Sequence, residues 1–151
     1  MEVKKQRKPS PADKGVGRIL KRAEQALLKA KSAALKPVGL TLAQYVALVE
    51  LEKQQAITAA TLARACLVTP QAMMILLKTM EQQGLIARTP HPRHANVLEL
   101  HITAVGREAL YEARAQVEPL ERRVVDAFSA KELSTLGNLL SRFIDALDPQ
   151  D

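Results

Sequence analysis

The chain has very few aromatic residues and a single cysteine. Its 151 residues include no tryptophan, two tyrosines, two phenylalanines and six glycines. One cysteine excludes an internal disulfide framework and fits a reducing compartment. No apolar run approaches the roughly 20 residues that span a bilayer, and no apolar segment follows the basic N-terminus as a signal peptide requires. With 47% hydrophobic residues, these features favour a cytoplasmic, mainly helical protein of one domain that has no membrane partner.

The positive charge of the chain is concentrated near its N-terminus. Residues 1–40 contain 11 lysines and arginines against three acids, whereas the remaining residues contain 11 against 13. We expect residues 1–12, which include four basic residues and two prolines, to form a disordered basic arm. This arm can either lie along DNA phosphates or keep the protein soluble, and the sequence leaves both interpretations open.

Helical spacing marks both ends of the chain. Apolar residues at steps of three and four predict a long amphipathic helix over 13–35, and Thr41 with Gln44 predicts a capping box for a second helix. Near the C-terminus we expect a long helix over 104–128, bent at Pro119 because proline lacks an amide hydrogen. A last amphipathic helix follows it, with its own capping box at residues 129 and 132.

The segment 57–103 is the most informative part of the chain. Its helix boundaries are marked by Thr58, Thr69 with Pro70, Gly84 and Thr103. The threonines are suitable N-caps, the proline suits a first helical position, and the glycine suits a left-handed helix end. Apolar residues at 85–86 and 97–100 flank the polar segment 88–96, which predicts two strands around a loop. Two short helices, a hairpin and a further helix in this order indicate a winged helix-turn-helix.

The run from Leu67 to Leu110 resembles the multiple-antibiotic-resistance regulator (MarR) family of transcription factors. It is LVTPQAMMILLKTMEQQGLIARTPHPRHANVLELHITAVGREAL, where MEQQGLI matches the family's LExxGLI and ITAVGR matches its LTxxGR. The resemblance extends over about residues 15–147. It implies a mainly α fold with a small β-hairpin wing, in which residues 13–151 form one domain. Residues 41–103 would form the winged helix-turn-helix, and residues 13–36 and 104–147 the dimerisation helices.

The resemblance also implies a function. Family members are homodimeric, sequence-specific DNA-binding regulators, so we expect a repressor of nearby genes that binds a palindromic operator and releases it when a small, often aromatic and anionic, effector binds. We expect no enzymatic activity and no cofactor, since the chain has no Gly-rich phosphate loop, no HExxH and no nucleophile with a matching base. The alternative is a winged-helix module that serves protein interaction and has lost specific DNA reading.

In the second helix of the predicted winged helix-turn-helix, one face is predicted to pack in the core and the other to contact a DNA groove. Spacing predicts a buried stripe of Met73, Leu76, Leu77 and Met80. The predicted DNA contacts are Thr58, Thr69, Gln71, Ala72, Ile75, Lys78, Thr79, Arg88, Arg93, His94 and Asn96. Gln71 can pair with adenine, and Ala72 and Ile75 can meet a thymine methyl group. Lys78 and the threonines at 69 and 79 suit phosphates.

Two places depart from the family pattern. Met74 and Ile75 lie where many members have a hydroxyl and an arginine, so we expect base reading to depend on apolar contacts and DNA shape. At the wing tip, His94 and Asn96 stand where many members have an aspartate and an arginine. Arg93 is therefore the residue that we expect to enter a narrow minor groove.

The helices outside the winged unit have apolar stripes that one small unit cannot cover, which predicts a dimer. The predicted dimerisation residues are Ile19, Leu20, Leu27, Leu136, Leu140, Phe143, Ile144 and Leu147. For an effector pocket the candidates are Tyr45 and Tyr111 with a lysine or arginine of the first helix. Helical spacing alone equally places both tyrosines in the core.

Neither a metal site nor a redox switch is expected. His91, His94 and His101 lie in or beside the wing, but zinc needs three or four ligands and the only cysteine is in another helix. Phosphate contact is the simpler role for these histidines. Cys66 follows apolar residues on a short helix, which favours a buried thiol over an oxidant sensor.

Overall fold

The computed structural model describes residues 15–54 and 56–147. Its elements are α1 (Val16–Leu35), α2 (Leu42–Lys53), α3 (Ala59–Ala65), α4 (Pro70–Gln82), β1 (Ile86–His91), β2 (His94–Ile102), α5 (Ala104–Asp126) and α6 (Ala130–Asp145). A short 3-10 turn, Lys36–Val38, joins the first two helices. This order confirms the predicted winged helix-turn-helix with long flanking helices. The basic arm over 1–12 lies outside the described residues.

Five helices begin at a hydroxyl residue whose side chain accepts a backbone N–H from three residues further on. These caps are Thr41, Thr58, Thr69, Thr103 and Ser129. At α2 and α6 the return bond from Gln44 or Glu132 completes a capping box. At α6 the bonds from the Ser129 backbone and hydroxyl also lower the pKa of Glu132. A cap of this kind stabilises a helix by about 1 kcal/mol.

The hairpin is longer than the sequence predicts. A loop is expected over 88–96, but β1 and β2 pair antiparallel from Ile86 opposite Ile102 to His91 opposite His94. The pairing is irregular between Pro90 and His91, and proline is tolerated because both strands of a two-stranded sheet are edges. The prediction was wrong because most residues of this segment are exposed, so it lacks the alternation that identifies a half-buried strand.

The core lies where α2, α3, α4, the hairpin and α5 meet. Its largest fully buried side chains in this region are Leu48, Leu62, Met73, Leu77, Met80, Leu100, Leu110 and Val117. The stripe predicted for α4 is confirmed, with Leu76 partly buried beside three fully buried members. Burial of this stripe leaves the opposite face of α4 in solvent.

Thr103 and Gly106 connect the end of α4 to the start of α5. Gly84 ends α4 with a φ of 71°, and the Thr103 hydroxyl donates to the Gly84 carbonyl oxygen at 2.6 Å. The Thr103 amide donates to the Leu85 carbonyl oxygen at 3.1 Å. One turn along α5, a Cβ on Gly106 would overlap that same oxygen. Only glycine therefore lets α5 pack this closely on the turn between α4 and β1.

The terminal helices contribute little to the core. No residue of α6 is buried, and α1 buries only Leu35. Ile19 is 65% exposed, and Ile144 and Leu147 are 60% and 71% exposed. In the ranges that the structure describes, no single helix is long and apolar enough to cross a membrane, although two bent helix pairs meet that test by length and composition.

We expect Gly106→Ala to lower the free energy of unfolding by about 1–3 kcal/mol, the usual cost of overpacking, in urea denaturation monitored by circular dichroism. Gly17→Ala is the matched control, because no described atom lies within 4 Å of its Cβ position. Alanine is favoured over glycine in a helix by roughly 0.5–1 kcal/mol, so the control should be neutral or stabilising. Equal effects of the two substitutions would contradict the role given to the Gly106 contact.

Candidate nucleic-acid interface

The exposed face of α4 brings together the residues predicted to meet DNA. Gln71, Ala72, Ile75, Lys78 and Thr79 are all exposed, as is the cap residue at 69. Ile75 has the most exposed large apolar side chain of the helix, at 71%. The predicted separation of buried and exposed faces is therefore correct, and the DNA contacts themselves stay a prediction.

The threonine hydroxyl groups on this surface differ in whether their hydrogen is available to a DNA phosphate. Thr69 Oγ1 accepts from the Ala72 amide at 3.2 Å, which leaves its hydrogen for a phosphate. Thr79 Oγ1 donates to the Ile75 carbonyl oxygen at 3.3 Å, so its hydrogen is engaged within the helix. Thr58 is half-buried, and its hydroxyl lies 3.0 Å from that of Thr61. Of the three predicted threonines, Thr69 is thus the best placed to donate a hydrogen bond to a phosphate.

The wing tip presents Arg93 on a tight turn. His91 Nδ1 accepts from the Arg93 amide at 3.0 Å, and His91 Nε2 lies 3.4 Å from Glu99 Oε1. A neutral imidazole with its hydrogen on Nε2 satisfies both contacts. Arg93, His94 and Asn96 are exposed, and Arg93 forms no ion pair with the residues that the structure describes.

Arg88 occupies the base of the wing and not its tip. Its Nη2 lies 2.8 Å from Glu81 Oε2, and its side chain is only 21% exposed. The ion pair connects β1 to the last turn of α4. This geometry favours a role for Arg88 in positioning the wing. It disfavours the DNA contact that was predicted for this residue.

Tyr45 and Tyr111 line one cleft of about 410 Å³, together with Arg114, Glu118 and Glu121. Tyr45 is 9% exposed and Tyr111 is 77% exposed, so Tyr45 belongs to the core and Tyr111 does not. Burial raises the pKa of Tyr45, and the negative charge of Glu121 adds to this effect. The two tyrosines are therefore brought together as predicted, and one of them is also a core residue.

Both α5 and the first helix place a cation at this cleft. Lys31 of α1 binds Glu121 at 2.6 Å, whereas Arg114 lines the cleft and pairs with Glu52. The hydrogen bond to Glu52 raises the pKa of Arg114. Sequence analysis missed Arg114 and Glu121, although residues 111, 114, 118 and 121 follow the three- and four-residue steps of one helix face.

The wing histidines and Cys66 have local partners or partial burial. His101 Nε2 lies 2.6 Å from Thr89 Oγ1 across the hairpin. Within the described residues, no group of three or more His, Cys, Asp or Glu side chains could hold a metal ion.

Burial raises the pKa of the half-buried Cys66 thiol, and the negative charge of Glu50 adds to this effect. A thiol that stays protonated is a poor nucleophile.

Known proteins resemble this chain in both sequence and fold. A sequence model of the MarR family matches residues 38–95. Two DNA complexes share the fold at low identity. CouR bound to a 23-mer DNA duplex has a TM-score of 0.80 at 23% identity, covering 93% of this chain and 99% of that chain. A mutant MarR from Escherichia coli complexed with operator DNA has a TM-score of 0.79 at 22% identity, covering 85% of this chain and 92% of that chain.

A relative in Mycobacterium tuberculosis is more similar in sequence. The HTH-type transcriptional repressor Rv2887 is 34% identical over 130 residues, which cover 86% of this chain and 94% of the relative. Its structure in complex with p-aminosalicylic acid has a TM-score of 0.66, covering 84% of this chain and 96% of that chain. Sequence, fold and the arrangement of α4, hairpin and flanking helices therefore agree, and the chain belongs to the MarR family.

Proposed function

We propose that the protein is a homodimeric repressor of transcription that binds palindromic operators of nearby genes in the cytoplasm and has no catalytic activity. The main support is the exposed face of α4, which has a capped N-terminus and lies on the same unit as a wing tipped by Arg93. The name of the M. tuberculosis relative, a transcriptional repressor, agrees with this function.

The dimer would form through the terminal helices. Within the described part of the chain, no residue of α6 is buried, and a two-fold interface would bury the same apolar stripe on both copies. Two-fold symmetry would then present two α4 helices to successive major grooves, about 34 Å apart. A palindromic operator follows from this symmetry.

DNA recognition would divide between α4 and the wing. Thr69 and Lys78 would hold phosphates, Gln71 would read a base edge, and Arg93 would enter the minor groove. The ion pair between Arg88 and Glu81 would keep the wing and α4 in one fixed relation. Each half-site would therefore be contacted in both grooves by a single rigid unit.

The cleft beside Tyr45 and Tyr111 is our proposed effector site. It lies on α2 and α5, and α5 leads directly from the wing towards the dimer helices. A ligand wedged there would change the separation of the two α4 helices, and a mismatch with the groove repeat would cost contacts in both half-sites. The ligand must favour the non-binding geometry, because equal affinity for both states shifts nothing.

We expect Arg93→Ala and Gln71→Ala to weaken DNA binding differently. Arg93→Ala should reduce affinity for many duplexes and lower the slope of log K against log salt by about one unit per subunit, because a cation in the groove neutralises phosphate charge and releases counterions. Gln71→Ala should cost about 1–3 kcal/mol at one position of each half-site. Fluorescence anisotropy on selected and scrambled duplexes measures both. Absence of any salt-dependent binding by the parent protein would instead support a protein-interaction module.

Dimerisation should depend on the α6 stripe. Sedimentation velocity at micromolar concentration should show a dimer for the intact chain and a monomer for Ile144→Glu, since the charge would lie in the buried interface. Truncation after Leu133 should have the same effect. Asn138→Glu is the matched control, because position 138 lies about 160° around the helix from Leu140. An intact chain that sediments as a monomer would contradict the proposed dimer.

We expect that control of DNA binding does not depend on oxidation of Cys66 or on a bound metal. Cys66→Ser should keep the DNA affinity of the parent, and neither peroxide nor a chelator should change the affinity of either protein. The physical reason is the raised pKa of the half-buried thiol, which disfavours the reactive thiolate. If the parent loses DNA affinity with peroxide and Cys66→Ser does not, Cys66 is a sensor after all.

A further inference from the structure

Ile75 occupies the middle of an exposed ridge on α4. Gln71, Ile75 and Lys78 follow steps of four and three residues, so they share one face of the helix. Ile75 is 71% exposed and its neighbour Met74 is 48% exposed. Two large apolar side chains thus stand in solvent between a residue suited to base edges and a residue suited to phosphates.

The surface beside Ile75 consists of apolar side chains, one ion pair and one lysine. A shallow depression of about 590 Å³ is lined by Met74, Ile75, Lys78, Glu81 and Arg88. Glu81 and Arg88 neutralise each other at 2.8 Å. The Thr79 hydroxyl donates to the Ile75 carbonyl oxygen at 3.3 Å. At the centre of the ridge, Ile75 and Met74 therefore present aliphatic and thioether groups to the solvent.

The chemistry of base edges limits what such a surface can select. In the major groove, the C5-methyl of thymine is the only apolar group that distinguishes the four base pairs. Pressing an aliphatic side chain on any other base edge removes water from a polar group and gives no hydrogen bond in return. We propose that Ile75, with Met74 beside it, is a specificity residue that selects thymine through its C5-methyl group. This inference rests on the proposed DNA-binding function.

The test uses the full chain and DNA that it selects itself from a pool of randomised duplexes. Each thymine of the selected site is replaced in turn by deoxyuridine, which removes only the methyl group, and Kd is measured by fluorescence anisotropy at fixed salt. Burial of one methyl group should be worth about a fourfold change per half-site, and about fifteenfold when both half-sites are altered. At the same position, 5-methylcytosine should bind more tightly than cytosine.

Two variants test whether Ile75 is responsible for the change in Kd caused by deoxyuridine. Ile75→Ala should bind the thymine and deoxyuridine duplexes with equal affinity, and circular dichroism should show an unchanged fold because the side chain is exposed. Lys78→Ala is the matched control on the same ridge. It should bind both duplexes more weakly and keep the ratio between them, since phosphate contacts carry no base information.

The outcomes separate the inference from the function on which it rests. Selected duplexes that tolerate deoxyuridine at every thymine would overturn methyl reading and leave the DNA-binding function intact. A sensitive thymine whose deoxyuridine effect persists in Ile75→Ala would overturn the assignment to Ile75. Failure to enrich or bind any duplex would overturn the proposed function itself.

Discussion

The contact of Thr103 and Gly106 with the carbonyl groups after α4 holds the DNA-reading unit on the long helices. The Thr103 hydroxyl donates to the carbonyl oxygen of Gly84, just beyond the end of α4. Gly106 lets α5 approach the Leu85 carbonyl oxygen more closely than any other residue could. The end of α4, the start of β1 and the start of α5 therefore all meet at this point. The motifs MEQQGLI and ITAVGR, on which the family resemblance depends, thus contain the residues that form this junction.

A second connection joins α4 to α2, the helix that carries Tyr45. The buried side chain of Gln44 accepts from the Thr41 amide at 2.9 Å through Oε1, and donates to Gln83 Oε1 at 2.7 Å through Nε2. Gln83 caps the end of α4, and Gln44 precedes Tyr45 in α2. One amide therefore completes a capping box and also bridges two helices. Together with the Thr103 contact, it fixes the end of α4 from two sides.

Local chemistry explains which features could be predicted from sequence. Helix starts at Thr41 and Thr103 depend on residues within one turn, so they were recognisable without knowledge of the fold. The strands of the wing were partly missed because most residues of segment 88–96 are exposed and show no alternating pattern. The ion pair of Arg88 with Glu81 and the position of Arg114 in the cleft depend on how separate elements pack, which spacing along one helix does not report. DNA contacts stay predictions because exposure identifies a surface and not its partner.

The uncovered stripe of α6 has a thermodynamic consequence for the proposed homodimer. If its apolar residues are shielded only by a second copy, unfolding is coupled to dissociation, and the melting temperature rises with protein concentration. The concentration of assembled dimer then varies with the square of monomer concentration when the protein is scarce. Operator occupancy would respond more steeply to the amount of protein than it would for a monomeric regulator. A modest change in synthesis or dilution at cell division would then have an amplified effect on repression.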